Sequence, residues 1–213
     1  MSRLATALAA MALAASLAAR AGTLEVAVVD AAGRPVADAA VYAVPATGAS
    51  PEARGRTAQI EQVDREFIPF VSVIQVGTSV AFPNRDPILH HVYSFSAAKN
   101  FEIKLYSGKA PQEIAFDRPG VVVLGCNIHD WMVAYVAVVP TPWFARSESA
   151  GTVRLRDLPA GQYDVHAWHP LQRASLPPQA LGVAATGNTE ATFRFDLQTR
   201  KAKFKPPLDR LKY

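Results

Sequence analysis

An all-β chain of many short strands, its two ends alike and its middle distinct, is the fold this sequence predicts, on three observations. Short runs of alternating apolar and polar residues recur along the chain, the period-two signature of half-buried strands. Sixteen prolines and twelve glycines are spread between those runs as turn punctuation. The strand style of the two ends matches and differs from that of the middle. The bulk composition, 50% hydrophobic and 19% charged over 213 residues, is that of a globular protein with enough chain for one large or two small β-domains.

The first residues stand apart from this pattern. Arg3 precedes an almost wholly apolar stretch from Leu4 to Ala19, and Arg20-Ala21-Gly22 leads into alternating sequence. A basic start, a short apolar run and small residues at its end predict a secretory signal peptide over residues 1–21, cleaved near Ala19 or Ala21. The run is shorter than the roughly 20 residues of a spanning helix. No later stretch qualifies, so the mature chain is expected to carry no transmembrane segment.

Thr23 to Asp30 puts Leu24, Val26 and Val28 on one face of a strand, Ala31 to Pro35 turns the chain, and Ala39 to Val44 forms a second strand. Ala46 to Arg56 reads as a loop. From Thr57 the runs shorten, with strands expected at Ala58–Gln62, Val71–Gln75, Ser79–Phe82, His91–Ser96, Gln112–Phe116, Val121–Cys126 and Val133–Val139. Turn signals at Gly77, Asn84 to Pro87, Gly108 to Pro111 and Arg118-Pro119-Gly120 separate them, a spacing that suggests a Greek-key sandwich. Asp64, Arg65 and Glu66 read as a solvated turn, and Tyr93 and Phe95 as core. Thr152–Leu158, Gln162–Trp168, Leu181–Ala184 and Thr192–Leu197 complete the set. Gly33-Arg34-Pro35-Val36, with Leu158-Pro159-Ala160-Gly161 and Tyr163, resembles the two halves of carboxypeptidase-regulatory or transthyretin-like β-sandwiches. That resemblance implies an outer sandwich from residues 22–56 and 145–198, with 57–144 inserted at a loop tip, where insertions are tolerated.

Formal charge is +4 and falls to about +2 once Arg3 and Arg20 leave with the leader. The basic character gathers in residues 199–213, around Arg200, Lys201, Lys203, Lys205, Arg210 and Lys212, and reads as a solvated tail. Nothing suggests a nucleic-acid module.

Chemistry is concentrated around the single cysteine. A lone thiol in an exported chain cannot form an internal disulfide and must be buried, pair between chains or ligate a metal. Alternation from Val121 places Cys126 on the same face as Val122 and Leu124, and Cys126-Asn127-Ile128-His129-Asp130-Trp131-Met132 then packs a thiolate, an imidazole and a thioether into one loop. A second imidazole source lies in Asn84-Arg85-Asp86-Pro87-Ile88-Leu89-His90-His91. Two imidazoles and one thiolate with a weak axial methionine form the donor set of blue-copper electron-transfer sites. His166 and His169 stand at a spacing that does not share one strand face and are read as non-ligands.

The Cys-x2-His-x2-Met spacing resembles the short ligand loop of amicyanin, and Asn84 and Asp86 before the first histidine strengthen the likeness to the cupredoxin family over about Val71 to Val139. The resemblance implies a cupredoxin sandwich holding one type 1 copper ion through His90, Cys126, His129 and Met132. The whole chain is also similar to exported plastocyanin-like proteins associated with amine oxidation. Three positions depart from the pattern. His91 stands where cupredoxins have an asparagine that ties the two ligand loops, so either the tie differs or His91 is itself the ligand. Asp130 replaces a proline, and Asn127 a serine or threonine. Trp131 either contributes to an apolar patch around His129, the usual electron exit in the family, or screens the metal from water. The expected role is a periplasmic one-electron carrier, not an enzyme, serving a redox partner such as a cytochrome or dehydrogenase. Copper storage or delivery, with an exposed His90/His91 pair capturing the ion, and a non-redox β-sandwich binding module are the alternatives.

Overall fold

The computed structural model describes residues 21–53 and 55–199, and every regular element among them is a strand. Residues 1–20 of the expected leader and 200–213 of the expected tail lie outside them. In chain order the strands are β1 (Ala21–Asp30), β2 (Ala40–Pro45), β3 (Thr57–Gln59), β4 (Glu61–Val63), β5 (Glu66–Ile68), β6 (Val71–Gln75), β7 (Thr78–Ala81), β8 (His90–Ser96), β9 (Lys99–Tyr106), β10 (Ile114–Phe116), β11 (Gly120–Gly125), β12 (Val133–Val139), β13 (Phe144–Arg146), β14 (Thr152–Pro159), β15 (Gly161–Trp168), β16 (Gln179–Val183) and β17 (Asn188–Phe195). Among the described residues no helix is long and apolar enough to cross a membrane.

These strands bury two separate cores. The sheet β14-β1-β17 faces the sheet β13-β2-β15-β16 across Leu24, Val26, Val28, Val41, Leu155, Tyr163, Val165 and Phe193. All these strands come from the two ends of the chain, and β1 pairs in parallel with β17, the last described strand. The alternation in β1 is the cause: Leu24, Val26 and Val28 are wholly buried and the residues between them are not.

Between β2 and β13 the chain builds the second core. A five-stranded sheet, β6-β12-β11-β8-β9, and a three-stranded one, β10-β7-β3, enclose Phe82, Val92, Ile103, Phe116, Val122, Leu124, Val136 and, at one end, Cys126 and Met132. The β4–β5 hairpin stands apart as a two-stranded ribbon, anchored by buried Phe67 and by backbone bonds from Gln62 N–H to Pro83 O and from Arg85 N–H to Gln62 O.

Three expectations change. The long strand β9 went unread because its alternation, Phe101, Ile103 and Leu105 against Asn100, Glu102 and Lys104, is that of an edge strand with only Ile103 and Tyr106 buried. The run Ala58–Gln62 is two strands, since Ile60 turns into the core between them. Tyr93 and Phe95 are not core: Phe95 is 79% exposed. Val92 and Ser94 take the inward face of β8, and the register shifts between His90 and Val92. A shift of one residue exchanges the two faces of a strand.

Gly151 shows how tightly the outer sandwich closes. Its φ is +64°, and a Cβ there would lie 2.6 Å from Val28 O and 2.8 Å from Pro35 Cβ. Gly151→Ala is expected to lose about 1–3 kcal/mol, read as a lower Tm. Gly48→Ala, also at positive φ but with nothing within 4 Å, should lose less.

Candidate metal centre

Strand β11 delivers the thiolate. Val122 and Leu124 are wholly buried and Cys126, next on the same face, is 3% exposed. Gly125 permits this placement because a Cβ there would stand 2.7 Å from the Tyr93 ring. Beyond Cys126 the chain makes one tight turn, closed by Met132 N–H donating to His129 O at 2.9 Å, and enters β12. That turn swings His129 back over the sulfur, with Cys126 Sγ and His129 Nδ1 3.7 Å apart. Met132 is 1% exposed and belongs to the same core as Cys126.

The second imidazole arrives from the loop that enters β8. Asn84 shapes this loop with every polar atom of its side chain. Its Nδ2 donates to Ile88 O at 2.8 Å and to Tyr106 O at 2.9 Å, and its Oδ1 accepts from Asp86 N–H at 2.9 Å. His90 is thereby held opposite Cys126, with Nδ1 3.9 Å from Sγ and 3.2 Å from His129 Nδ1. His90 and His129 are both wholly buried. The ligand atoms of His90, Cys126 and His129 all lie within 4.8 Å of one another, and no other such group of three occurs among the described residues.

The alternation puzzle at His90-His91 is decided by partners. His91 turns away and meets Glu102 Oε1 at 2.8 Å through Nε2. His90 Nε2 meets Asp86 Oδ2 at 2.7 Å, a bond that places the ring proton on Nε2 and leaves the Nδ1 lone pair aimed at the thiol, as outer carboxylates do for metal-binding histidines. Burial would raise the Asp86 carboxyl, but hydrogen bonds from His90 and from the Arg65 and Asp64 amides outweigh it and hold the group below the usual carboxylate range. Burial, reinforced by His90 and Arg65 and opposed by Asp86, pushes His129 down to about 4. Its imidazole is therefore neutral near pH 7, the form that ligates a metal.

The donors fit a metal of the expected kind. Ligand atoms about 2.0–2.3 Å from one ion in a trigonal array stand roughly 3.5–3.7 Å apart, close to the three separations found. A thiolate with two imidazoles, and a thioether such as Met132 of the same buried cluster, is the set that type 1 copper takes. Below this set Tyr106 donates its hydroxyl to Phe82 O and accepts from Gln62 Nε2. Burial is the main cause that carries its pKa to about 12, so it remains a neutral donor.

Two other readings resolve at the same place. Trp131 is half-buried, its ring centroid 5.1 Å from that of His129, and its Nε1 donates to Arg65 O at 3.1 Å. It covers the imidazole, and His129 presents no exposed edge. Asp64 and Arg65 are not an idle solvated turn, since their amides donate to Asp86 at 2.7 and 2.8 Å. Sequence reasoning passed over them because a two-residue turn carries no motif until its partners are known. His166 stacks on Tyr42 at 4.7 Å, and His169 accepts from Leu171 N–H through Nδ1.

No family model matches this chain, and no match is found among curated proteins. Among solved structures it is similar to a copper-containing nitrite reductase from Thermus scotoductus, at 23% identity over 45% of this chain and 25% of that one, with a TM-score of 0.38. It is also similar to a novel purple cupredoxin from Nitrosopumilus maritimus, at 26% identity over 38% of this chain and 99% of that one, TM-score 0.34. A reduced amicyanin variant aligns at 17% identity over 46% of this chain and 99% of that one, TM-score 0.37. The chain thus spans about a quarter of the nitrite reductase. The region from β3 to β12 has a cupredoxin-like fold in its own right: two facing sheets with the thiolate at the end of one strand and the second histidine in the loop that follows.

The partners of the adjacent histidines predict opposite outcomes for their replacement. His90→Gln should lower copper affinity by at least tenfold. His91→Gln should leave stoichiometry and affinity within about threefold, as measured by competition with a chelator.

Proposed function

We propose that this protein is an exported type 1 copper protein that carries single electrons between redox partners. The observation that carries the proposal is the convergence of His90 Nδ1, Cys126 Sγ and His129 Nδ1 within 4.8 Å of one another in a pocket closed to water. Copper held there supplies a one-electron couple, with the thiolate and thioether suited to Cu(I) and the imidazoles to both oxidation states.

The remaining features concern what the residues do. Strands β8, β11 and β12 and the hydrogen bonds of Asn84 and Asp86 hold the donors in place before any metal arrives. A prearranged donor set changes little on a change of ionic charge, which keeps the barrier to electron transfer low. Wholly buried histidines and a nearly buried thiol leave no open position for a substrate, which favours a carrier over an enzyme. They also disfavour rapid metal exchange. The capture step of a copper-delivery protein needed an exposed His90/His91 pair, yet these residues are 0% and 5% exposed.

The leader-like start supports a periplasmic address, and a cytochrome or dehydrogenase of small docking area suits a transient redox encounter. Pro87 and Leu89, exposed on the His90 loop, and half-buried Trp131 on the other offer the apolar surface for it.

Copper loading of the mature chain is expected to yield one Cu(II) per protein, an intense visible band and a reversible one-electron wave. Cys126→Ser should abolish the band while far-ultraviolet circular dichroism stays β-type. A wild-type complex with only weak Cu(II) absorption would sink the proposal.

A further inference from the structure

Cupredoxins tie their two ligand loops through the residue after the first histidine, and here that residue is His91, bonded away to Glu102. The two loops are nonetheless joined, through a third element. We propose that the Asp64–Arg65 turn of the β4–β5 hairpin is the positioning element that locks the His90 loop and the Cys126–Met132 loop to each other. This rests on the copper reading for its purpose but not for its geometry.

The connection runs through the backbone on both sides of Arg65. On the first side, Asp64 N–H donates to Asp86 Oδ1 at 2.7 Å and Arg65 N–H to Asp86 Oδ2 at 2.8 Å. The same Oδ2 meets His90 Nε2 at 2.7 Å. On the other side, Arg65 O accepts from Trp131 Nε1 at 3.1 Å, and the Trp131 ring leans on His129. A continuous path of hydrogen bonds and ring contact therefore leads from one metal-facing imidazole to the other without passing through the metal.

Two further features show that the turn is held in place rather than incidental. Asp64 and Arg65 sit at φ 53° and 59°, the left-handed pair of a two-residue hairpin turn that ordinarily selects Asn-Gly. Non-glycine residues persist there where surrounding bonds over-determine the conformation. Secondly, Asp86 offers two oxygens to three donors, a demand a carboxylate meets and an amide does not: an Asn at this place turns an NH2 group against at least one N–H.

The tie is made by the Arg65 backbone N–H and C=O, which a change of side chain leaves in place. Trp131→Phe keeps a smaller aromatic cover over His129 and removes the indole N–H that reaches Arg65 O. Arg65→Gly removes the side chain, suits the positive φ and keeps both backbone contacts. In metal-free protein, Trp131→Phe should raise hydrogen exchange of the Asp64, Arg65 and Met132 amides about tenfold or more, and Asp86→Asn should do the same from the opposite side, Met132 included. Arg65→Gly should hold the protection factors of Asp64 and Met132 within about threefold of wild type.

In copper-loaded protein, Trp131→Phe should speed metal loss to a chelator by about 10–100-fold. Asp86→Asn should also weaken Cu(II) relative to Cu(I), a tenfold change corresponding to about 59 mV upward in potential. Exchange confined to residues 126–132 in Trp131→Phe, with the Asp64 and Arg65 amides unmoved, would overturn the tie. So would equal damage from Arg65→Gly. A wild-type protein without a type 1 spectrum that still showed the exchange coupling would refute the copper assignment and leave the tie standing.

Discussion

The structure depends on one demand: three buried donor atoms, from residues 36 and 3 positions apart along the chain, must face one another without water. Buried polar groups need partners, and two imidazoles beside a cysteine sulfur would be costly to hold so close unless their other atoms were satisfied. Asp86 meets that demand for His90. Much of the surrounding loop structure follows from satisfying the groups that then hold Asp86 and shape the loop around it: Asn84, the Asp64 and Arg65 amides, and the carbonyls of Ile88 and Tyr106.

The cores do different work. The outer one, from β1, β2 and β13 to β17, is aliphatic and aromatic, with buried polar side chains such as Ser147 stitching its edge to Ala39 and Val36. The inner one includes two of the donors, so Cys126 and Met132 belong to the same buried cluster as Leu124, Val92 and Phe82. A cysteine sulfur held at the end of a close-packed strand has little room to move. That rigidity suits the proposed one-electron role, and the burial of both histidines extends it. It also leaves no exposed histidine edge to serve the proposed electron transfer. Trp131, lying on His129 and half-buried, occupies the direction in which that edge would open.

Much of this was legible in the residues alone, and some was not. Alternation along Val121 to Cys126 determined that the thiol faces inward, since a strand has only two faces and Val122 and Leu124 claim one. The Cys126, His129 and Met132 spacing determined that three potential donors share one loop. Glycine and proline punctuation marked most strand ends, because those residues act through local backbone geometry. The partners across space were another matter. Local alternation separated His90 from His91 but had no means to say which faced the thiol; Glu102 and Asp86, from different elements, decided it. Tyr93 and Phe95 looked like core because a register shift has no local signature. The Asp64–Arg65 turn looked idle because its function lies in backbone N–H and C=O groups, which every residue has and no sequence pattern displays. Side-chain chemistry and period are written along the chain, whereas convergence, register and backbone contacts exist only after the chain has folded.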